Sequence, residues 1–290
     1  MSLVINHNMM AMHASRNLQQ AYGNLGTSTR RLSSGLRVGT AADDAAGLAI
    51  RELMRADIKS LNQGMRNAND AISMIQTADG ALQVIDEKLI RMKELATQAS
   101  TGTYNSDQRL IIDSEFQAMA SEITRIAMAT DFNGIHLLNG NLSGETSSHD
   151  GSGLHSTGPL KVHFGAGNDS AEDYYYISIG SSTASSLGVQ TSVSTQQLAQ
   201  EALDKLNEAI ISKDKIRANL GAMQNRLENT ITNLSIQAEN VQAAESRISD
   251  VDVATEMTEF VRNQILTQSA VAMLSQANSL PKMAMQLIGG

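Results

Sequence analysis

Two stretches of this chain repeat apolar residues every seven positions, for longer than the three or four turns of an ordinary globular helix. Leu61, Ala68, Ile75, Leu82, Leu89 and Ala96 step by sevens, with Ile58, Met65 and Ile72 beside them. Leu220, Leu227, Leu234, Val241 and Ile248 repeat the pattern, flanked by Ile216, Met223, Ile231 and Ala238. Sustained heptads of this kind specify long helices that pack side by side. A helix over 44–99 is about 84 Å long at about 1.5 Å per residue. It cannot bury its own stripe, so it needs a partner of matching length. The segment 195–248 is that partner, and the residues between them predict an antiparallel hairpin.

Composition agrees with helices. The hydrophobic fraction is 41% but aromatics are only 3%, with no Trp, two Pro and 15 Met. Such a core of Ala, Leu, Ile, Val and Met suits helix packing better than a sandwich of strands. At the N-terminal end, Val4, Ala11, Leu18, Leu25 and Leu32 form one stripe with Ala14, Ala21 and Ser28, and the helix stops at Ser33-Ser34-Gly35. Gly35 and Gly39 allow an irregular connection, after which Asp43 and Asp44 sit where acidic residues cap a helix N-terminus. A turn at 100–106 leads to a helix over 107–129. Asp131-Phe132-Asn133-Gly134 then reads as a tight turn, because Asn-Gly favours hairpins. Between Gly140 and Gly188 fall nine of the 21 Gly. Strand character at 161–164 and 174–179 predicts a small module of short strands, too short for a large core of its own. A final stripe runs Leu266, Ala270, Met273, Ala277, Leu280, Ala284 and Leu287.

The expected fold is therefore mainly α: a long antiparallel helical hairpin or bundle, paired coiled-coil helices from the two chain ends, and a small β-rich central module. The expected division is 1–43 with 249–290 as a terminal helical domain, 44–139 with 192–248 as the long-helix bundle, and 140–191 as a variable, surface-facing module. On this reading, deletion of about 147–182 leaves assembly intact.

Charge and chemistry exclude several functions. With Lys+Arg 22 and Asp+Glu 30 the formal charge is −8, which argues against a broad nucleic-acid or anionic-membrane surface. The absence of Cys removes disulfides, thiol nucleophiles and thiolate metal sites. Residues 1–15 lack the charged region of a secretory signal. Residues 263–281 are uncharged but too polar to span a membrane. Asp43 and Asp44 point about 100° apart on a helix and cap better than they catalyse. His149, His155 and His163 share a Gly/Ser-rich segment without Cys or a His-Glu-x-x-His spacing, and read as surface histidines. Sugar attachment on the Ser and Thr of the middle module is left open. No catalytic, cofactor or metal set emerges, and the chain reads as a non-enzyme.

The chain ends suggest what it is instead. Residues 1–15 carry no charged side chain, and residues 251–290 carry five: Asp252, Glu256, Glu259, Arg262 and Lys282. An Ala-rich pair buries too little to offset chain entropy of about 1 to 2 kcal/mol per residue. One reading docks the pair on the same chain. The sharper one has the ends ordering only against ends of identical subunits, through Leu18, Leu25, Leu32, Leu266, Met273, Leu280 and Leu287.

Specific blocks agree with the sharper reading. Residues 31–37, Arg-Leu-Ser-Ser-Gly-Leu-Arg, followed by Ala42-Asp43-Asp44-Ala45-Ala46-Gly47-Leu48-Ala49-Ile50, resemble the N-terminal signature of bacterial flagellins. Arg66-Asn67-Ala68-Asn69-Asp70, Phe132-Asn133-Gly134 and Met273-Leu274-Ser275-Gln276-Ala277-Asn278 before Pro281 are similar to further blocks of that family. The resemblance covers both terminal thirds in order and implies a structural subunit that polymerises into the extracellular filament for motility, with a reduced outer domain. It implies export without a cleaved signal, and partners in the export apparatus, a chaperone, the cap and hook-associated proteins. It also implies contact with the animal innate receptor for flagellin at Arg91, Leu95 and Glu115, although Lys93 and Ile90 depart from the usual pattern there. Two rivals remain at this point: a hook–filament junction protein, and a helical signalling hairpin with folded ends.

Overall fold

A computed structural model of the 290-residue chain describes residues 7–144 and 158–288, without the side chains of 280, 281 and 284–288. Among the described residues five helices and four short strands follow in order: α1 (Met9–Ser34), α2 (Ala45–Ser100), α3 (Ser106–Ala129), β1 (Asp131–Phe132), β2 (Ile135–His136), β3 (Leu160–His163), β4 (Tyr174–Ile177), α4 (Gln196–Ser249) and α5 (Val253–Ile288). The chain is mainly α, with two small two-stranded antiparallel sheets among the described residues, β1 with β2 and β3 with β4. It divides into two compact units, Met1–Ala56 with Glu239–Gly290, and Asp57–Ala238.

In the second unit, the heptad stripes meet. Ion pairs give the direction: Arg217 Nε donates to Asp79 at 2.7 Å and Lys213 Nζ to Asp86 at 2.5 Å. As the number rises along α2 it falls along α4, so the pair is antiparallel. Leu82, Leu89, Ala96, Leu206, Leu220 and Leu227 are buried in one core. α2 buries a second row as well, Met74, Ile85, Met92, Leu95 and Ala99, in the same core as Ile112, Phe116 and Ile123 of α3. Asn105 starts α3 with a capping box: its side chain accepts from Gln108 N, and the Gln108 side chain accepts from Asn105 N. Asn133 and Gly134, at φ 53° and 80°, form the left-handed turn that joins β1 to β2, as Asn-Gly requires.

The central segment is built into that core. Val162, Ile177, Ile179, Ala184, Leu187, Val189 and Val193 are buried with the long helices. A second cluster joins Leu61 of α2, Phe164, and Leu234 and Ala238 of α4. The end of β3 lies so close to α2 that a Cβ on Gly64 would stand 1.9 Å from the Phe164 carbonyl oxygen. One turn on, Asn67 Nδ2 donates to the His163 carbonyl at 2.8 Å. Tyr175 lies between the Phe164 ring, at 4.6 Å between centroids, and the Arg226 guanidinium, 3.6 Å above it. Removing 147–182 takes Val162, Ile177 and Ile179 out of the first apolar cluster and Phe164 out of the second.

The two helix glycines make a paired test. Gly64→Ala forces β3 off α2 and lowers stability by about 1 to 3 kcal/mol. Gly80→Ala enters open space on the same helix and raises it by about 0.5 to 1 kcal/mol. Urea unfolding of both variants checks this, and equal shifts contradict the close approach.

Candidate assembly surface on the terminal helices

The terminal unit begins from two capped helices. Asn8 accepts from Ala11 N at 3.0 Å, starting α1, and its amide donates across to the Ala277 carbonyl of α5 at 2.7 Å. At the other end of α1, Arg31 faces Glu256 at 3.6 Å. Low numbers on one helix meet high numbers on the other, so α1 and α5 are antiparallel. Gly35, at φ 72°, closes α1 in the left-handed conformation, with its N–H on the Arg31 carbonyl. The chain beyond it pairs with the α4–α5 connection through Arg37 N to Ser249 O and Val251 N to Gly35 O, at 2.7 and 3.0 Å. Arg37 reaches the Ile248 carbonyl, and the buried Arg51 holds the Val38 carbonyl at 2.6 Å.

Asp43 and Asp44 divide the capping role. Asp44 caps α2, accepting from Gly47 N at 2.9 Å. A Cβ on Gly47 would stand 2.4 Å from that carboxylate, which explains a glycine in the first turn. Asp43 instead ties the loop: it accepts from the Thr40 hydroxyl and N–H at 2.8 and 3.0 Å and from Arg30 at 2.8 Å. The Thr40 hydroxyl, with Arg30 behind it, holds the Asp43 carboxyl below its usual range. The Thr255 hydroxyl does the same for Asp252 at the start of α5.

The seam between α1 and α5 is narrow, with four leucines set among small or polar side chains. On α1 the inward positions are Ala11, Ala14, Leu18, Ala21, Leu25, Ser28 and Leu32, of which only Ala21 and Ser28 are fully buried. On α5 they are Asn263, Thr267, Ala270, Leu274 and Ala277. Leu266 and Met273 lie off that seam and are 50% and 64% exposed. They line a groove of about 740 Å³ with Met10, His13, Ala14 and Ala21. Tyr22, Ile50, Leu53, Val253, Val261, Ile265 and Val271 are exposed on the same unit. The side chains of Leu280 and Leu287 lie outside the described residues.

On the other unit, Arg91 and Glu115 come together: Nε and Nη2 of Arg91 donate to one Glu115 oxygen at 3.0 and 2.8 Å. That bond, with a second from Arg91 to the Glu94 carboxylate, raises the Arg91 pKa. Leu95 is different. It is 2% exposed and belongs to the core, so it supports the helix that carries Arg91 and is not itself on the surface. His163 stacks on Tyr174 at 5.9 Å; His149 and His155 lie outside the described residues. Among the described residues no His, Cys, Asp or Glu group has the arrangement to hold a metal, and no helix is long and apolar enough to cross a membrane.

These features describe a mainly helical protein whose terminal helices carry exposed apolar side chains. Comparison with known proteins identifies the class. Residues 5–143 match the bacterial flagellin N-terminal helical region and 203–288 the C-terminal helical region. The chain is 41% identical to the flagellar filament 33 kDa core protein of Treponema phagedenis, over 99% of this chain and 100% of that one. It is 39% identical to flagellin of Bacillus subtilis, over 98% and 99%. A solved Vibrio parahaemolyticus protein assigned as flagellar hook-associated shares the fold at TM-score 0.56, with 13% identity over 72% of this chain and 100% of that one. The chain belongs to the bacterial flagellin family. It is a structural, non-enzymatic subunit that self-polymerises into the extracellular flagellar filament of motile cells.

Acid should loosen the loops of the terminal unit. Asp43 and Asp252 have folded pKa values below the ordinary 3.8, so their contribution is full above about pH 3.8 and disappears as pH falls through the lowered values. Thr40 and Thr255 amide signals should keep their positions down to about pH 4 and move only below it. Asp43→Asn and Asp252→Asn should abolish that acid step; an unchanged step contradicts the assignment.

Proposed function

We propose that neighbouring subunits pack through the α1/α5 unit, along the groove face that carries Leu266 and Met273. The observation that supports this is the imbalance of the unit. Among its described residues, the fully buried side chains are Ala21, Ser28, Val38, Arg51, Ser249, Asn263, Thr267 and Ala277, while Leu53, Leu266 and Met273 are at least half exposed. An apolar face of this kind on a protein that forms filaments is a contact surface. Leu18, Leu25 and Leu32, half-buried along the α1 seam, hold the pair together from within. Leu280 and Leu287 continue the Leu266–Met273 stripe by sevens in sequence and are assigned to the same face. A contact that joins different patches on successive copies, with a rotation that does not close, grows an open helical polymer.

In this reading 1–43 with 249–290 form the inner part of the filament, 44–139 with 192–248 make the remaining subunit contacts, and 140–191 faces outward. The export apparatus, its chaperone, the cap and the hook-associated proteins are the further partners of this reading. The exposed Arg91–Glu115 pair, carried on α2 and α3 and supported by buried Leu95, is the contact for the animal innate receptor. Glu115→Lys should lower receptor activation by the monomer at least about tenfold, since it reverses the charge of a rim contact. Leu95→Ala instead opens a core cavity costing about 2 to 4 kcal/mol, so only the surface variant tests the site. A full response from folded Glu115→Lys monomer refutes it.

Leu266→Asp with Met273→Asp places two charges, one heptad apart, in a contact meant to be dry. Sedimentation after seeding should show no filament growth, while circular dichroism keeps the signal of the long helices. Normal growth overturns the assignment of this face.

A further inference from the structure

Oxidation chemistry singles out methionine in this chain. It has 15 Met, no Cys and no Trp, so a peroxide meets no thiol, and thioether sulfur is the softest nucleophile present. Methionine is usually a core residue, but here exposed methionines gather on one unit. Met9, Met10, Met12, Met257, Met273 and Met283 are all exposed on the terminal helices, between 45% and 64%. Among the described residues of the other unit, Met128 is the exposed one, whereas Met74 and Met92 are sealed in the core at 2% and 0%. Met10 of α1 and Met273 of α5 line the same groove.

We infer that Met10 and Met273 form an oxidation site that decides whether a further copy can seat in the groove; the inference rests on the assembly face proposed above. One molecule of hydrogen peroxide reacts at each Sδ. A sulfur–oxygen bond forms, the peroxide O–O bond breaks, and the second oxygen leaves as water. The sulfur is oxidised by two electrons and the peroxide is reduced by two. The sulfoxide is polar, chiral and no longer fits an apolar contact, and burying it against an apolar neighbour leaves its oxygen without a donor. Sulfoxide reductases run the change backwards with a dithiol, which becomes a disulfide while the oxygen leaves as water. The free subunit is open to this chemistry. A subunit with neighbours on the groove is shielded from it.

The test uses the full chain as monomer, treated with hydrogen peroxide, followed by peptide mass mapping and elongation of seed filaments. Met10 and Met273 should gain oxygen at least about tenfold faster than Met74 and Met92, and in intact filaments their rate should fall toward that of the buried pair. Elongation by treated monomer should drop at least about tenfold and return after the two reductases, one for each sulfoxide epimer, act with dithiothreitol. Measured against its own untreated rate, whatever that rate is, the double variant Met10→Leu, Met273→Leu should lose no elongation on the same peroxide dose. Groove methionines that react no faster than the core ones, treated monomer that elongates normally, or a Leu variant as sensitive as the parent would each overturn the inference. If the Leu variant fails to elongate untreated, recovery of the parent by the reductases decides instead. Failure of untreated parent to elongate counts against the assembly face, and the mass mapping still judges the oxidation site.

Discussion

A 56-residue helix with an apolar stripe cannot satisfy itself, and the antiparallel pairing of α2 with α4 is what the rest of this subunit depends on. The stripe supplies the attraction, but heptads repeat and tolerate slips by seven. Polar groups inside the seam supply register. Lys213 is 2% exposed and reaches both Asp86 and Asp214, at 2.5 and 2.7 Å, and Arg217 grips Asp79 one turn away. A slip by seven parts Lys213 from Asp86 and Arg217 from Asp79, and at most one of the two cross-helix pairs can re-form, so a charge in the seam loses its partner at a cost that packing does not return. With register set, Gly64 meets β3 and Asn67 meets the His163 carbonyl, so the central strands dock on a surface that exists only in that alignment.

Much of this architecture was legible because helices announce themselves by period. Leu61 to Ala96, Leu220 to Ile248 and Leu18 to Leu32 marked the helices and the α1 seam, and Asn133-Gly134 marked its hairpin. What escaped had a physical reason in each case. Leu266 and Met273 step by sevens, yet the row facing α1 is Asn263, Thr267, Ala270, Leu274 and Ala277. α5 carries two stripes, and period alone cannot say which one a partner inside the chain will take. Leu95, named with Arg91 and Glu115 only through the family resemblance, falls outside the heptad row of α2. It is buried because α2 is covered on a second side, information that resides in α3 and the strands. The docking of β3 was invisible for a different reason: a mid-helix glycine such as Gly64 reveals a close approach only when the approaching backbone is known.

The contrast between the two units carries the functional meaning. One closes a core with Phe116, Ile123, Leu137, Leu138 and the inward row of α2, all essentially inaccessible. The other has built its connections carefully, with a left-handed glycine cap, a capped α2 start and a paired loop, but leaves Tyr22, Leu53, Ile265, Leu266 and Met273 facing out. Precision in the joints together with incomplete burial on the helices is what a subunit needs if its stability is to be completed by neighbours. Local stability follows buried apolar contact, so the terminal helices belong at the low end and the long-helix core at the high end.

Amide hydrogen exchange on dilute monomer and on assembled filament measures that difference most directly. The account predicts that α1 and α5 exchange near the rate of unprotected amides in the monomer, while the inward rows of α2 and α4 are strongly protected, and that α1 and α5 become protected in the filament. Strong protection of α1 and α5 in a dilute monomer that does not elongate filaments would contradict it.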